Sequence, residues 1–313
     1  MNPDGTPTVH DSLVLDGILE RYRLHPGLTA AVSLLTGMAA YMVVGNLATL
    51  LWLIAGGTSP EVVLRDITQL MEAEVVAVLG GNAIGLVCGL GVLSLLLARL
   101  QTKEVGAFVR LKKPDSISLL LSVVGLFILL PVIQWTGHLN EKLPLPDFLR
   151  MIEEMQMELL EQVLLGEVGL LLSILLVAVT PAICEEIFFR GYVQRNLERA
   201  AGVVWSIALT GLAFGLFHLR LTQVLPLAIL GVYFAYLTWR TGSLWIPIVL
   251  HFINNAIALV VADILKSRQD FDVSALEAMS VPTYLALICL VLFAGLLYLL
   301  HATYVRGQPR ERL

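Results

Sequence analysis

Eight long apolar runs constrain this chain more than any other feature. They cover about residues 27–56, 75–100, 117–135, 167–184, 202–219, 223–240, 244–263 and 281–304. A helix needs roughly 20 apolar residues to cross a hydrocarbon slab at 1.5 Å rise per residue, and these runs match that length. Lipid offers no water to backbone N–H and C=O groups, so crossings of this kind fold as helices. The sequence therefore predicts an all-α fold: a polytopic membrane helix bundle with about eight transmembrane helices. Composition agrees. Of 313 residues, 57% are hydrophobic and 14% are charged, whereas an ordinary soluble domain carries about 25% charged residues.

The apolar runs also divide the chain. A polar N-terminal segment, 1–26, shows no short apolar core before a small-residue cleavage site, so the first run is expected to direct insertion itself. Residues 27–166 hold the first three runs and an amphipathic stretch, 167–265 hold the next four, and 266–313 hold the last run and a tail. In the stretch 146–166, Phe148, Leu149, Ile152, Met155, Leu159, Leu160 and Val163 recur at helical spacing beside a run of glutamates. That pattern predicts an amphipathic helix lying on the membrane surface. Membrane lipid is thus an expected partner. Nucleic acid is not, because no basic stripe or aromatic–basic interleaving occurs. Cys88, Cys184 and Cys289 form no CxxC pair, which argues against a disulfide framework or a thiolate zinc site.

Orientation follows from basic residues. With alternating spans and a cytoplasmic N-terminus, Arg65, Lys142, Arg150, Arg220, Lys266 and Arg268 fall outside and the other 14 of the 20 Lys and Arg fall inside. The positive-inside rule favours this arrangement. It predicts a multi-pass cell-membrane protein with both termini cytoplasmic. A compact chain without an organelle signal suits a prokaryotic plasma membrane.

Polar residues within apolar segments are expensive, about 2.5–3.5 kcal/mol for a charge at a helix centre. They cluster in three places. The fourth run closes on Glu185-Glu186-Ile187-Phe188-Phe189-Arg190. Glu186 and Arg190, at i and i+4, can pair, while Glu185 points about 100° away. By itself this pattern also fits an interfacial charge cluster that ends a span. The fifth run carries Phe214 and His218 on one helical face, and a lone histidine there can simply bond a carbonyl. The seventh carries His251 and Asn255 four apart, a spacing that also suits interhelical polar contacts. Asn254 turns away from that face.

Together these clusters offer one free carboxylate, two imidazoles and one amide from three helices. A carboxylate can deprotonate water, histidines can orient it, and an asparagine amide can donate to a developing oxyanion. No serine or cysteine stands beside the histidines as an obvious nucleophile. The His-Glu-x-x-His zinc-protease helix is absent.

The set Glu185-Glu186-x-x-x-Arg190, Phe214-x-x-x-His218 and His251-x-x-x-Asn255 resembles the motifs of the CAAX prenyl protease 2-like family, the CPBP intramembrane proteases, which include bacteriocin-processing and self-immunity relatives. The resemblance covers roughly residues 170–260. It implies an intramembrane endopeptidase in which Glu185 is the base, His218, His251 and Asn255 complete the site, and Glu186, Arg190 and Phe214 support it. It further implies a membrane-associated protein or peptide substrate, such as a CAAX-type prenylated C-terminus or a leader peptide. No cofactor is expected. Were a metal such as zinc used, Glu185, His218 and His251 are the available ligands. Two other readings remain open: a catalytically silent scaffold or immunity-type binding protein of the same family, and a proton-relaying transporter. The latter should show an inverted repeat, which is not evident.

One geometric demand follows. On straight spans Glu185 and His251 lie near the cytoplasmic ends and His218 near the outer end. For them to meet, the fifth helix must begin below the membrane or tilt, and the favoured geometry is a helical extension of roughly residues 188–202 into the cytoplasm.

Overall fold

The computed structural model describes residues 13–59, 74–142, 144–165, 168–266 and 281–307. The first part of the expected N-terminal segment, Arg65, Arg268 and the tail with Arg310 and Arg312 lie outside these residues. The architecture is a polytopic helical bundle without strands among the described residues. The helices are α1 (Pro26–Ala55), α2 (Val75–Arg99), α3 (Ser116–Asn140), α4 (Asp147–Leu165), α5 (Leu170–Phe217), α6 (Leu221–Thr241), α7 (Trp245–Lys266) and α8 (Thr283–Gly307). All but α4 are long and apolar enough to cross a membrane, which makes seven such helices among the described residues.

The expected fourth and fifth runs are the two arms of α5, which has 48 residues. Its one break is Gly202, at φ 78° and ψ 174°. Residues with side chains rarely adopt that backbone, and glycine adopts it at no steric cost. The arms fold back on each other there. Phe188 packs on Phe217 with centroids 5.7 Å apart, and Phe189 packs on Phe214 at 5.4 Å. In an unbroken helix these residues would lie about 40 Å apart. The first arm thus continues helically past Glu186 as far as Gly202, the geometry favoured for the meeting of the motifs.

Local sequence sets the remaining ends. Asp115 caps α3 by accepting from Ser118 N at 2.8 Å, filling one of the orphan donors of the first turn. Gly242, at φ 64°, takes the left-handed cap of α6. The amphipathic stretch forms α4, with Phe148, Met151, Ile152 and Met155 exposed.

Two polar layers close the bundle. At one end, the strap before α1 bonds the α2–α3 loop through Gly17 N to Gln101 O at 2.8 Å and Thr102 Oγ1 to Val14 O at 2.7 Å. That loop meets the bend of α5 through Gln101 Nε2 to Asn196 Oδ1 at 2.7 Å, Arg195 Nε to Phe108 O at 3.1 Å, and the Arg110–Glu198 ion pair. It meets the α6–α7 turn through Leu244 N to Arg110 O at 2.9 Å. At the other end, Thr222 donates twice to Glu153 of α4, Asn140 donates to Leu221 O at 2.6 Å, and Trp135 donates to Thr283 at 3.2 Å. The strap, the α2–α3 loop, the Gly202 bend and the α6–α7 turn therefore share one end, as alternating crossings require.

Candidate active site

The site is built on α5, where the backbone departs from α geometry on both sides of the carboxylates. Residues Ile174–Val179 and Ile187–Val193 are π-helical, a form that often marks functional sites. Pro181 accounts for the first. It has no N–H to offer the Val177 carbonyl one turn earlier. Asn255 Nδ2 of α7 donates to that carbonyl at 3.2 Å. A helix defect is thus repaired by a neighbouring helix, the usual condition for irregular backbone at membrane depth.

Glu186 and Arg190 pair as their spacing predicts, with Arg190 Nη1 at 2.9 Å from Glu186 Oε1 and both side chains fully buried. The other Arg190 arm donates to Gly231 O of α6 at 3.1 Å. That carbonyl is within reach because the second arm of α5 and α6 touch through glycines. A Cβ on Gly231 would stand 2.9 Å from Gly211 Cα, and one on Gly215 would stand 2.6 Å from Val224 O. Such close approach is what small residues four apart permit. The guanidinium also lies over Phe214, 4.4 Å from its centroid, gaining cation–π attraction in a dry setting.

Phe214 is the hub of the histidines. Its ring centroid is 4.9 Å from His218 and 5.7 Å from His251. His218 Nδ1 bonds Phe214 O at 2.8 Å. A carbonyl cannot donate, so Nδ1 carries the proton and Nε2 is left for other work. His251, 4% exposed, bonds Glu186 Oε1 through Nδ1 at 2.8 Å, which likewise leaves Nε2 outside that bond. The Glu186–His251 bond is not readable from spacing, because it joins two helices 65 residues apart. Asn254 donates to Asn255 Oδ1 at 3.2 Å.

Glu185 stands outside this network. Its Oε2 is buried without a hydrogen-bonding protein partner. Glu186 Oε2 is likewise buried without a partner; the two adjacent carboxylates differ in that Glu186 Oε1 is bonded to Arg190 and His251 and Glu185 joins neither bond. Around Glu185, the sequence reading omitted Tyr41 of α1 and Asn82 of α2. The Tyr41 hydroxyl donates to Asn82 Oδ1 at 2.6 Å and lies within electrostatic reach of the Glu185 carboxylate. The available signal was polarity within the first two apolar runs. Among the described residues no three His, Cys, Asp or Glu gather as a group that could hold a metal ion.

Residues 167–257 match the family model described as Type II CAAX prenyl endopeptidase Rce1-like. The "Putative membrane peptidase YdiL" of Bacillus subtilis (strain 168) is 28% identical over 89 residues, covering 28% of this chain. The chain spans 36% of that relative's length. No solved structure matches. The matched segment contains Glu185, Glu186, Arg190, Phe214, His218, His251 and Asn255, and both comparisons support the CAAX protease/CPBP family of membrane peptidases.

Proposed function

We propose that this chain is an intramembrane endopeptidase in which Glu185 activates water for attack on a peptide bond. The observation that carries this reading is the division of labour between the two carboxylates. Glu186 is paired with Arg190 and bonded to His251, both through Oε1, whereas Glu185 joins neither bond; Oε2 of each carboxylate is buried without a protein partner. Of two carboxylates, the one that is not held by a cation is the better proton acceptor.

In this mechanism Glu185 takes a proton from water, and the oxygen attacks the carbonyl carbon of the scissile bond. The carbonyl π electrons move to oxygen, giving a tetrahedral oxyanion. The second N–H of Asn255 is the donor available to it, and Nε2 of His218 or His251, on rings whose Nδ1 carries the proton, is an acceptor that can orient the water. The proton held by Glu185 passes to the leaving nitrogen as the C–N bond breaks. Glu186, through its bond to Nδ1, fixes which face of His251 serves the site. This chemistry uses side chains alone and routes no step through a metal.

The substrate class proposed is a membrane-associated protein or peptide, CAAX-type prenylated C-termini and leader peptides included. Purified protein in liposomes, offered an internally quenched peptide library, should cleave a subset of sequences, and Glu185→Gln should not. Equal behaviour of the two proteins would overturn the activity and favour a binding scaffold.

The proposed orientation puts the layer containing Arg110, Lys112 and Arg195 in the cytoplasm and α4 outside. An impermeant thiol reagent applied to intact cells should label Glu154→Cys and spare Lys112→Cys until the cells are opened. The reverse pattern would invert the topology.

A further inference from the structure

The matched segment begins well after α1 and α2, yet these helices pack directly on the residues around Glu185. A Cβ on Gly37 of α1 would stand 2.6 Å from the Phe188 ring, and one on Gly91 of α2 would stand 3.2 Å from Cys184 Sγ. Tyr41 follows Gly37 by one turn and so faces the same stretch of α5. Its place is closely constrained, since a Cβ on Gly85 of α2 would stand 2.7 Å from Tyr41 O and 3.1 Å from its ring. Tyr41 from α1, Cys184 beside it and Arg190 further along α5 lie within electrostatic reach of Glu185. Cys88 of α2 lies within electrostatic reach of Cys184.

The Tyr41–Asn82 bond decides what the phenol can do. An amide oxygen only accepts, so the Tyr41 proton is committed to Asn82 Oδ1. The phenolic oxygen then presents lone pairs alone. Glu185 Oε2, on the helix that packs against α1, is likewise an acceptor and is buried without a protein partner. Two acceptors on facing helices can take both hydrogens of one water, and that water's lone pairs are then turned away from both, toward a third group.

We propose that Tyr41, oriented by Asn82, is a positioning residue of this site: its oxygen and Glu185 together hold the attacking water with a lone pair aimed at the substrate carbonyl. The inference rests on Glu185 being the base. It assigns the N-terminal helices a part in the chemistry, beyond holding the site in the membrane. Tyr41 exchanges no proton in the reaction; it fixes the direction of attack.

The test uses full-length protein in liposomes and the quenched peptide that wild type cleaves fastest. Tyr41→Phe keeps the ring and its packing. It should lower kcat by about tenfold, the loss expected from one hydrogen bond of about 1.4 kcal/mol, with KM unchanged. Asn82→Leu keeps the approximate shape of asparagine and frees the phenol proton to turn toward Glu185. It should shift the infrared carboxyl band that is missing from Glu185→Gln, and Tyr41→Phe/Asn82→Leu should abolish that shift. A role confined to packing moves neither kcat alone nor the band. Wild-type kcat in Tyr41→Phe, or an unmoved band in Asn82→Leu, would overturn the inference. Activity remaining in Glu185→Gln would instead overturn the base assignment beneath it, so the two failures are separable.

Discussion

The α1–α2 pair and the α5–α7 group solve the same packing problem with different materials. Both bring helices to backbone contact through glycine. On α2, a Cβ at Gly85 would stand 3.0 Å from Gly45 Cα of α1, and on α6 a Cβ at Gly231 would stand 2.9 Å from Gly211 Cα of α5. Beyond that they diverge. The buried residues of α1 are Ala30, Ser33, Gly37, Gly45 and Leu53. The α5–α7 group instead buries Glu186, Arg190, Gln194, Arg195, Asn196 and His251. Close packing alone needs no charge, as α1 and α2 show. Burying charge such as Glu186 and Arg190 in an apolar setting is costly, and close packing does not account for it.

The strongest way to break that comparison is to remove half of the buried pair. Arg190→Met leaves Glu186 and His251 in an apolar setting with an uncompensated carboxylate. Loss of one partner of a buried pair costs about 3–5 kcal/mol. The variant should be recovered poorly, or unfold at a much lower temperature in detergent. An unchanged midpoint would mean that the network carries little stability.

A second test asks whether glycine contacts matter equally in both regions. Gly85→Ala and Gly215→Ala each force a Cβ to within 3 Å of backbone oxygen, 2.7 Å from Tyr41 O and 2.6 Å from Val224 O respectively. Each should lower stability by about 1–3 kcal/mol. Gly137→Ala is the control, since its new Cβ meets only Pro226 Cγ at 3.8 Å. It should be neutral or gain up to about 1 kcal/mol of helix propensity. Thermal midpoints of the three variants in one detergent decide this.

The smallest effect belongs to the α3 cap, far from both regions. Burial raises the Asp115 carboxyl, but hydrogen bonds from Ser118 outweigh it and hold the group below its ordinary value. A lowered carboxylate adds stability above its unfolded pKa and loses it as pH falls through the folded value. Asp115→Ala should cost about 1 kcal/mol near neutral pH, and the gap from wild type should close on acidification. A gap that widens in acid would contradict the sign.

Much of this was readable from residue order, for identifiable reasons. Apolar length fixes a crossing helix, and the i,i+4 spacing of Glu186 and Arg190 predicts their ion pair. The bend at Gly202 was favoured by the meeting of motifs, but only its backbone angles locate it. Glycine also occurs at many places where no bend forms. What spacing cannot carry is contact between helices distant in sequence. The bonds from Glu186 to His251, Asn255 to Val177 and Tyr41 to Asn82 all cross between helices. The two arms of α5 are two apolar runs in a hydropathy reading, and nothing in that reading shows that one helical stretch of 48 residues, broken only at Gly202, joins them.

The central claim is that adjacent carboxylates do different work, Glu185 on water and Glu186 on Arg190 and His251. The direct measurement is turnover per folded, membrane-inserted molecule for Glu185→Gln and Glu186→Gln, with a thermal midpoint for each. Loss of a general base costs about 10²–10⁴-fold in rate. Glu185→Gln should show that loss at a wild-type midpoint. Glu186→Gln should lower the midpoint and lose turnover modestly, more so as temperature rises. Near-wild-type turnover in Glu185→Gln, or abolition by Glu186→Gln at an unchanged midpoint, would contradict the account.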